Sequence, residues 1–174
     1  AHIYQGTLML AHVYENIIQN TPEWDAMRLG KITASSVDSF VGVKGAIANS
    51  KASKKAMRKL ILKCIFDIEE PFKGNAATEH GHEYEATVRE AFEAKTELEV
   101  IEVGFCRHKE FGELGFSPDG LIKEDGEWVE GFECKSPEIE NFTSYYLDQE
   151  LPSDYIQQVH YSLAVSGLRA WHFV

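Results

Sequence analysis

Sulfur is scarce in this chain and scattered. Cys64, Cys106 and Cys134 are the three cysteines in 174 residues, and no C-x-x-C pair occurs. That pattern excludes a disulfide framework and a zinc ribbon and suits reduced thiols in a cytoplasm. It also excludes an iron–sulfur cluster, which takes four grouped thiolates. No apolar run approaches the roughly 18 residues of a membrane span, so no membrane partner is expected. Ala1 to Leu10 carries no basic n-region and gives no sign of secretion. No internal repeat, low-complexity tract or Pro/Ser-rich linker divides the sequence, so a single domain over 1–174 is expected, long enough to bury a core.

Positive charge is also scarce. Seventeen Lys and Arg stand against 28 Asp and Glu, a formal net charge of −11. By its sum this disfavours nucleic acid as a partner. Its distribution does not. From Val43 through Cys64 there is no acidic residue, while Lys44, Lys51, Lys54, Lys55, Arg58, Lys59 and Lys63 all fall there. Such a stripe either follows a phosphate backbone or keeps a helix face solvated.

What the sequence does hold is Ser117-Pro118-Asp119-Gly120 followed by Glu133-Cys134-Lys135. Alternate side chains of a strand share a face, so Glu133 and Lys135 point one way and Phe132 and Cys134 the other. If Leu114 to Ile122 pairs with that strand as a hairpin, Asp119 comes beside Glu133. Two carboxylates then offer oxygen to a hard divalent cation, with one ammonium group beside the water to be activated. The bland alternative is a Pro-Asp-Gly turn next to a solvated Glu–Lys pair.

The surrounding pattern reads as helices at Ala11 to Ile18, from Thr33, at Ala52 to Ile68 and at His82 to Lys95. Thr33 is an N-cap candidate after the Gly30 break. Gly42 to Ser50 reads as a loop, and Pro71 to Asn75 as a helix stop. Ala56, Leu60 and Cys64 form one apolar row, and Tyr84, Val88, Ala91 and Phe92 another. Strands follow at Val100 to Arg107, Leu114 to Ile122 and Glu127 to Lys135, the last two joined at Glu124-Asp125-Gly126. Phe142 to Leu147 and Asp154 to Ser166 read as helices, and Leu168 to Val174 as a final strand. The fold class is α/β (α+β), a mixed sheet flanked by helices with the acidic motif on central strands.

Five segments in one order make these residues specific. They are Trp24 with Arg28-Leu29-Gly30-Lys31-Ile32-Thr33-Ala34-Ser35, Gly81-x-x-Tyr84-Glu85, Ser117-Pro118-Asp119-Gly120-Leu121, Glu133-Cys134-Lys135, and Gln158-Val159-His160-Tyr161-Ser162. With them the chain resembles the lambda exonuclease family of phage alkaline exonucleases and YqaJ-type viral recombinases, over nearly all of Trp24 to Phe173. The resemblance implies a restriction-endonuclease-like PD-(D/E)XK core. It implies a processive 5′→3′ exonuclease that degrades one strand of linear duplex DNA and leaves a 3′ single strand. A single-strand annealing protein as partner, a ring-shaped homotrimer and a phage or prophage protein in a bacterial cytoplasm are implied with it. Members of the family continue past the strand that ends here at Val174, so part of the C-terminal family fold is expected to be missing.

The resemblance also assigns roles. Asp119 and Glu133, with the backbone carbonyl of Cys134, are expected to hold two Mg²⁺ ions, Mn²⁺ being the expected substitute, and Lys135 to position or deprotonate water. Glu85, rather than Glu79 or Glu83, follows the Gly-x-x-Tyr-Glu pattern as a further carboxylate. Gln158 is expected near the phosphate or the nucleophile. Arg28, Thr33 and Ser35 are expected to hold a terminal 5′ phosphate together with Ser117, which shares the face of Asp119 if its strand stays extended, and Lys51, Lys54, Lys55 and Arg58 to contact DNA. Helix capping is the alternative for Thr33 and Ser35. His160 reads as a packed helix residue. His80-Gly81-His82 lacks the second ligand pair of a zinc site. Two other functions compete: an endonuclease of restriction or repair type on the same core, and a catalytically silent DNA-end-binding module.

Overall fold

The protein is described by a computed structural model covering residues 9–42, 45–66, 76–137 and 139–174, with the backbone alone given for 76–83. The expected helix stop at Pro71 to Asn75, the end of the expected Ala52 to Ile68 helix at 67–68, Val43 and Lys44 of the expected loop, and the side chains of Glu79, His80, His82 and Glu83 lie outside the described residues.

Two four-stranded sheets carry the chain. One has the order β1 (Ala11–Tyr14), β4 (Phe105–His108), β5 (Leu114–Phe116), β2 (Ile32–Thr33). The other runs β3 (Val100–Ile101), β6 (Gly120–Glu124), β7 (Glu127–Glu133), β8 (Ala170–Phe173). β2–β5 and β7–β8 are parallel and the other pairs antiparallel, so both sheets are mixed. The class is α/β, as the sequence implies, but two of its expected strands each divide between the sheets. Val100 to Arg107 breaks at Gly104, where a Cβ would stand 1.9 Å from the backbone oxygen of Ile17, an approach that only glycine permits. Leu114 to Ile122 breaks at Ser117-Pro118-Asp119, because Pro118 has no N–H for a central ladder.

The expected helix at Ala11 to Ile18 is instead β1. Ala11 and Val13 alternate toward the core, and the segment pairs with β4 from Ala11↔His108 to Tyr14↔Phe105. A ladder partner more than ninety residues away overrides the local pattern. Helix α1 (Pro22–Arg28) is capped by Thr21, whose hydroxyl accepts from the Trp24 N–H. From Thr33 the chain forms a 3₁₀ helix, Ala34–Ser39, rather than an α-helix. Helices α2 (Lys51–Phe66), α3 (Ala76–Thr96), α4 (Ile139–Asp148) and α5 (Ser153–Ser166) complete the layers.

One core cluster joins Met9, Val103, Cys106, Phe116, Leu121 and Val165, where α5 packs on the first sheet. A second joins Phe92 of α3 to Val100, Ile122, Val129, Phe132 and Cys134. The expected α3 stripe holds at Phe92 and half-buried Val88, while Tyr84 and Ala91 are exposed. On α2, Ala56 and Leu60 are half-buried and Cys64 is exposed, so that row is only partly covered.

Candidate active site

The β6–β7 hairpin builds the centre. Asp125 (φ 51°) and Gly126 (φ 85°) turn the chain with positive φ at both positions, the geometry that a tight hairpin requires. Its register sets Gly120 opposite Phe132 and so delivers Asp119 to the end of β7. The Asp119 Oδ2 accepts the Cys134 N–H at 2.8 Å. Beyond β7 the chain stays laced to the neighbouring strand, Lys135 N–H donating to Val174 at 2.9 Å and Val174 N–H to Glu133 at 3.0 Å. Backbone pairing with Val174 on one edge and the Asp119 carboxylate on the other therefore hold the Glu-Cys-Lys segment extended.

Side chains then converge. Lys135 Nζ donates to Glu133 Oε1 and lies 4.0 Å from Asp119 Oδ2. Gln158 reaches in from α5, its Nε2 donating to the same Glu133 oxygen at 2.6 Å. Glu85 comes from α3, and its carboxylate, that of Asp119 and the Cys134 Sγ all lie within 4.8 Å of one another. Four elements far apart in sequence thus supply Glu85, Asp119, Glu133, Lys135 and Gln158 to one spot.

The electrostatics follow from crowding. Burial and the Asp119 charge push Glu133 up to about 7, against the pull of Lys135 and the Gln158 hydrogen bond. Burial opposes the charge on Lys135, but Glu133 and Asp119 outweigh it and hold the ammonium above its ordinary value. Burial, with the charges of Asp119 and Glu85, pushes the Cys134 thiol up to about 12. Three carboxylates, Glu85, Asp119 and Glu133, gather where one ammonium group stands, and that surplus of oxygen donors fits a hard divalent cation.

A second cluster adjoins the first. Trp24 Nε1 donates to Ser117 Oγ at 2.9 Å and to the Gly104 carbonyl at 3.1 Å. The Arg28 guanidinium lies 4.0 Å from the centre of the Trp24 ring, and its two terminal nitrogens donate to Ser117 Oγ at 3.2 Å and Ser35 Oγ at 3.3 Å. Thr33 Oγ1 lies 3.3 Å from Ser35 Oγ, and Ser36 Oγ accepts the Thr33 N–H at 3.0 Å. Burial lowers the Arg28 pKa from its ordinary value, against the raising effect of the Asp25 charge. These residues stand along a cleft of about 580 Å³ that Trp24, Arg28, Thr33 and Ser35 line together with Lys59 and Lys63 of α2.

Ser117 therefore turns to Arg28 rather than sharing a face with Asp119, because Pro118 breaks the strand between them. Lys51, Lys54, Lys55 and Arg58 are exposed on α2 and do not line the cleft. Lys59 and Lys63 belong to the same basic stripe and were legible as its i, i+4 members, but nothing local marks them as facing inward. Trp24 was visible only as part of a motif. His160, expected to be packed, is exposed.

The sequence model of the YqaJ-like viral recombinase domain matches residues 23–169. Among solved structures, the crystal structure of an alkaline exonuclease, LHK-Exo from Laribacter hongkongensis, superposes with a TM-score of 0.75 at 29% identity, covering 88% of this chain and 73% of that one. The same relative in complex with dAMP gives 0.74 at 30% identity and the same coverage. No curated protein matches.

Proposed function

The chain belongs to the YqaJ-like viral recombinase family, its relatives support a nuclease role, and from that premise we propose a Mg²⁺-dependent 5′→3′ exonuclease acting on linear double-stranded DNA. One strand is degraded from its 5′ end, leaving a 3′ single-stranded tail for recombination. The observation that carries this reading is the Ser117-Pro118-Asp119 link between the two clusters. Ser117 accepts hydrogen bonds from Trp24 and Arg28, which line the cationic cleft, and Asp119 belongs to the carboxylate cluster. Two residues span about 7 Å at most, the scale of a single nucleotide. A terminal phosphate held at Arg28 thereby leaves the next diester at the carboxylates. The relative LHK-Exo has been crystallised with dAMP, and a deoxynucleoside monophosphate is the product class this arrangement releases.

Glu85, Asp119 and Glu133, with the Cys134 carbonyl, are the residues that would hold two metal ions. The Cys134 N–H is turned to Asp119, and in extended backbone the carbonyl leaves on the same edge. When bound, such ions supply Lewis-acid activation of water and neutralise charge at the phosphate. The protein's own part is orientation. Gln158 fixes the Glu133 carboxylate through one oxygen. Lys135, kept charged by its neighbours, donates hydrogen bonds that aim a water at phosphorus. It would act as a proton acceptor only as the neutral amine, after releasing a proton to solvent, a loss that engagement of the Glu133 and Asp119 charges by metal would ease.

Arg28 supplies a planar cation suited to two phosphate oxygens, with Ser35, Thr33 and Ser117 as hydroxyl partners and Lys59 and Lys63 along the duplex side. Mn²⁺ is proposed as a substitute for Mg²⁺, an annealing protein as the partner for the 3′ tail, and a homotrimer as the assembly. The deciding experiment incubates the protein with linear and with covalently closed circular duplex DNA in Mg²⁺. Loss of the linear form alone is expected, and cutting of the closed circle would replace this reading with an endonuclease.

A further inference from the structure

Cys134 is the member of the catalytic segment whose side chain has no task in the reading above. It is 5% exposed, and its thiol makes no hydrogen bond among the described residues. Yet its Sγ is aimed at two carboxylates, since it and the oxygens of Glu85 and Asp119 all lie within 4.8 Å of one another. Around one tetrahedral zinc, with Zn–S about 2.3 Å and Zn–O about 2.0–2.2 Å, such donors stand about 3.5 Å apart. Binding an ion there requires the Glu85 and Asp119 side chains to rotate toward the sulfur by the difference. We propose that Glu85, Asp119 and Cys134 form a site for a thiophilic divalent cation, zinc or cadmium, chemically distinct from the all-oxygen set that serves magnesium.

Ligand softness separates the two modes. Magnesium takes oxygen donors and leaves a thiol protonated. A thiophilic ion takes the thiolate: the S–H bond breaks, the proton leaves to the buffer, and the sulfur electron pair forms the metal–sulfur bond without change of oxidation state. Strand alternation sets Cys134 with Phe132 in the core cluster, on the face opposite Glu133 and Lys135. An ion shared by that sulfur and the Asp119 carboxylate therefore takes Asp119 out of the magnesium set. The consequence, which rests on the nuclease reading, is that zinc and cadmium inhibit cleavage instead of supporting it.

The test titrates Cd²⁺ into metal-free protein carrying Cys64→Ser, because Cys64 is an exposed thiol while Cys106 is wholly enclosed. Sulfur-to-cadmium charge-transfer absorption in the ultraviolet is expected to saturate at one equivalent. Adding Cys134→Ser is expected to abolish the band, and Glu85→Gln to keep it while weakening cadmium affinity by about 10-fold or more. An unchanged band with Cys134→Ser overturns the proposal, as does unchanged affinity with Glu85→Gln. Circular dichroism monitors folding, and if Cys134→Ser does not fold, Glu85→Gln decides. The second arm measures cadmium inhibition of Mg²⁺-supported digestion, each variant normalised to its own rate without cadmium. Cys134→Ser is expected to raise the half-inhibiting concentration about 10-fold or more; equal values mean that cadmium only displaces magnesium from oxygen, and the thiol site falls. The absorption arm needs no turnover, so it decides the metal site even for a protein that cleaves nothing.

Discussion

Gln158 Nε2 donates to the same Glu133 oxygen that receives the Lys135 ammonium, at 2.6 Å. Two donors on one oxygen leave the other oxygen of Glu133 free to face a cation, and they oppose the burial that drives this carboxyl toward its neutral form. Removing the amide should push the Glu133 pKa further up. Gln158→Ala is therefore expected to move the acid limb of the kcat–pH profile to higher pH and to lower kcat at neutral pH by about 10–100-fold, since a hydrogen bond to a charged group contributes roughly 1.5–3 kcal/mol. A fall in Tm with an unmoved pH profile would reduce Gln158 to a packing residue.

Asp119 carries the second expectation. Its Oδ2 accepts the Cys134 N–H and its carboxylate stands beside both Glu85 and Lys135. Asp119→Ala is expected to remove nearly all cleavage of linear duplex while DNA-end binding persists, because the anion cleft at Arg28 does not include it. Gel-shift and digestion assays on the same preparation separate the two effects. Ca²⁺ in place of Mg²⁺ is expected to sustain binding with little turnover, its looser coordination placing the water poorly. Digestion near the wild-type rate by Asp119→Ala rules out the proposed centre.

The parts of this site that were legible in the sequence are those set by short-range geometry. Period-two alternation placed Glu133 beside Lys135, and the turn at Asp125-Gly126 set the register that brings Asp119 alongside. What was illegible depends on distant partners. Nothing near Ala11 announces that its ladder partner is His108, so a short helix looked as good as a strand. The aim of Ser117 depends on Trp24 and Arg28, about ninety residues earlier, and on a break at Pro118. The basic stripe was visible as charge, but which lysines line the cleft depends on how α2 lies against the 3₁₀ helix. The carboxylate cluster needed α3 to dock on the hairpin, and only the family pattern singled out Glu85 among its acidic neighbours.

Crowding at Glu133 has a measurable cost in the metal-free protein. Its folded pKa, about 7, lies above the ordinary 4.5, so between those values the folded state binds more protons than the unfolded. Stability is then highest below about pH 4.5 for this group and is lost as pH rises through about 7, by about 3 kcal/mol. Glu130 has the opposite sign. Burial opposes its charge, but hydrogen bonds from His172 and Arg169 outweigh it and lower its pKa, so its contribution is lost as pH falls. The two separate by mutation. Glu133→Gln is expected to raise Tm more at pH 8 than at pH 5 in the presence of a chelator, and an equal change at both pH values would show that Glu133 titrates normally.

The last expectation concerns the DNA end. Arg28 is held over Trp24 with hydrogen bonds to Ser117 and Ser35, and Thr33 stands next to Ser35. These contacts orient the guanidinium before any ligand arrives, so little side-chain freedom remains to be lost on binding. A terminal phosphomonoester carries more negative charge than an internal diester, and a fixed guanidinium discriminates between them. Charge-assisted hydrogen bonds contribute roughly 1.5–3 kcal/mol each, which corresponds to about one to two powers of ten in rate. Linear duplex with a 5′ phosphate is therefore expected to be digested about 10–100-fold faster than duplex with a 5′ hydroxyl, and Arg28→Ala to erase most of that ratio. Ser35→Ala is expected to reduce the ratio less, because it removes one hydroxyl and leaves the cation. The comparison is made at one ionic strength, since general attraction to the backbone weakens with salt whatever the end carries. Lys59→Ala, altering the same cleft from α2, is expected to slow both substrates alike. Equal rates on the two ends with the native protein would show that the cleft does not read phosphate, and Thr33 and Ser35 would then serve only to start the 3₁₀ helix.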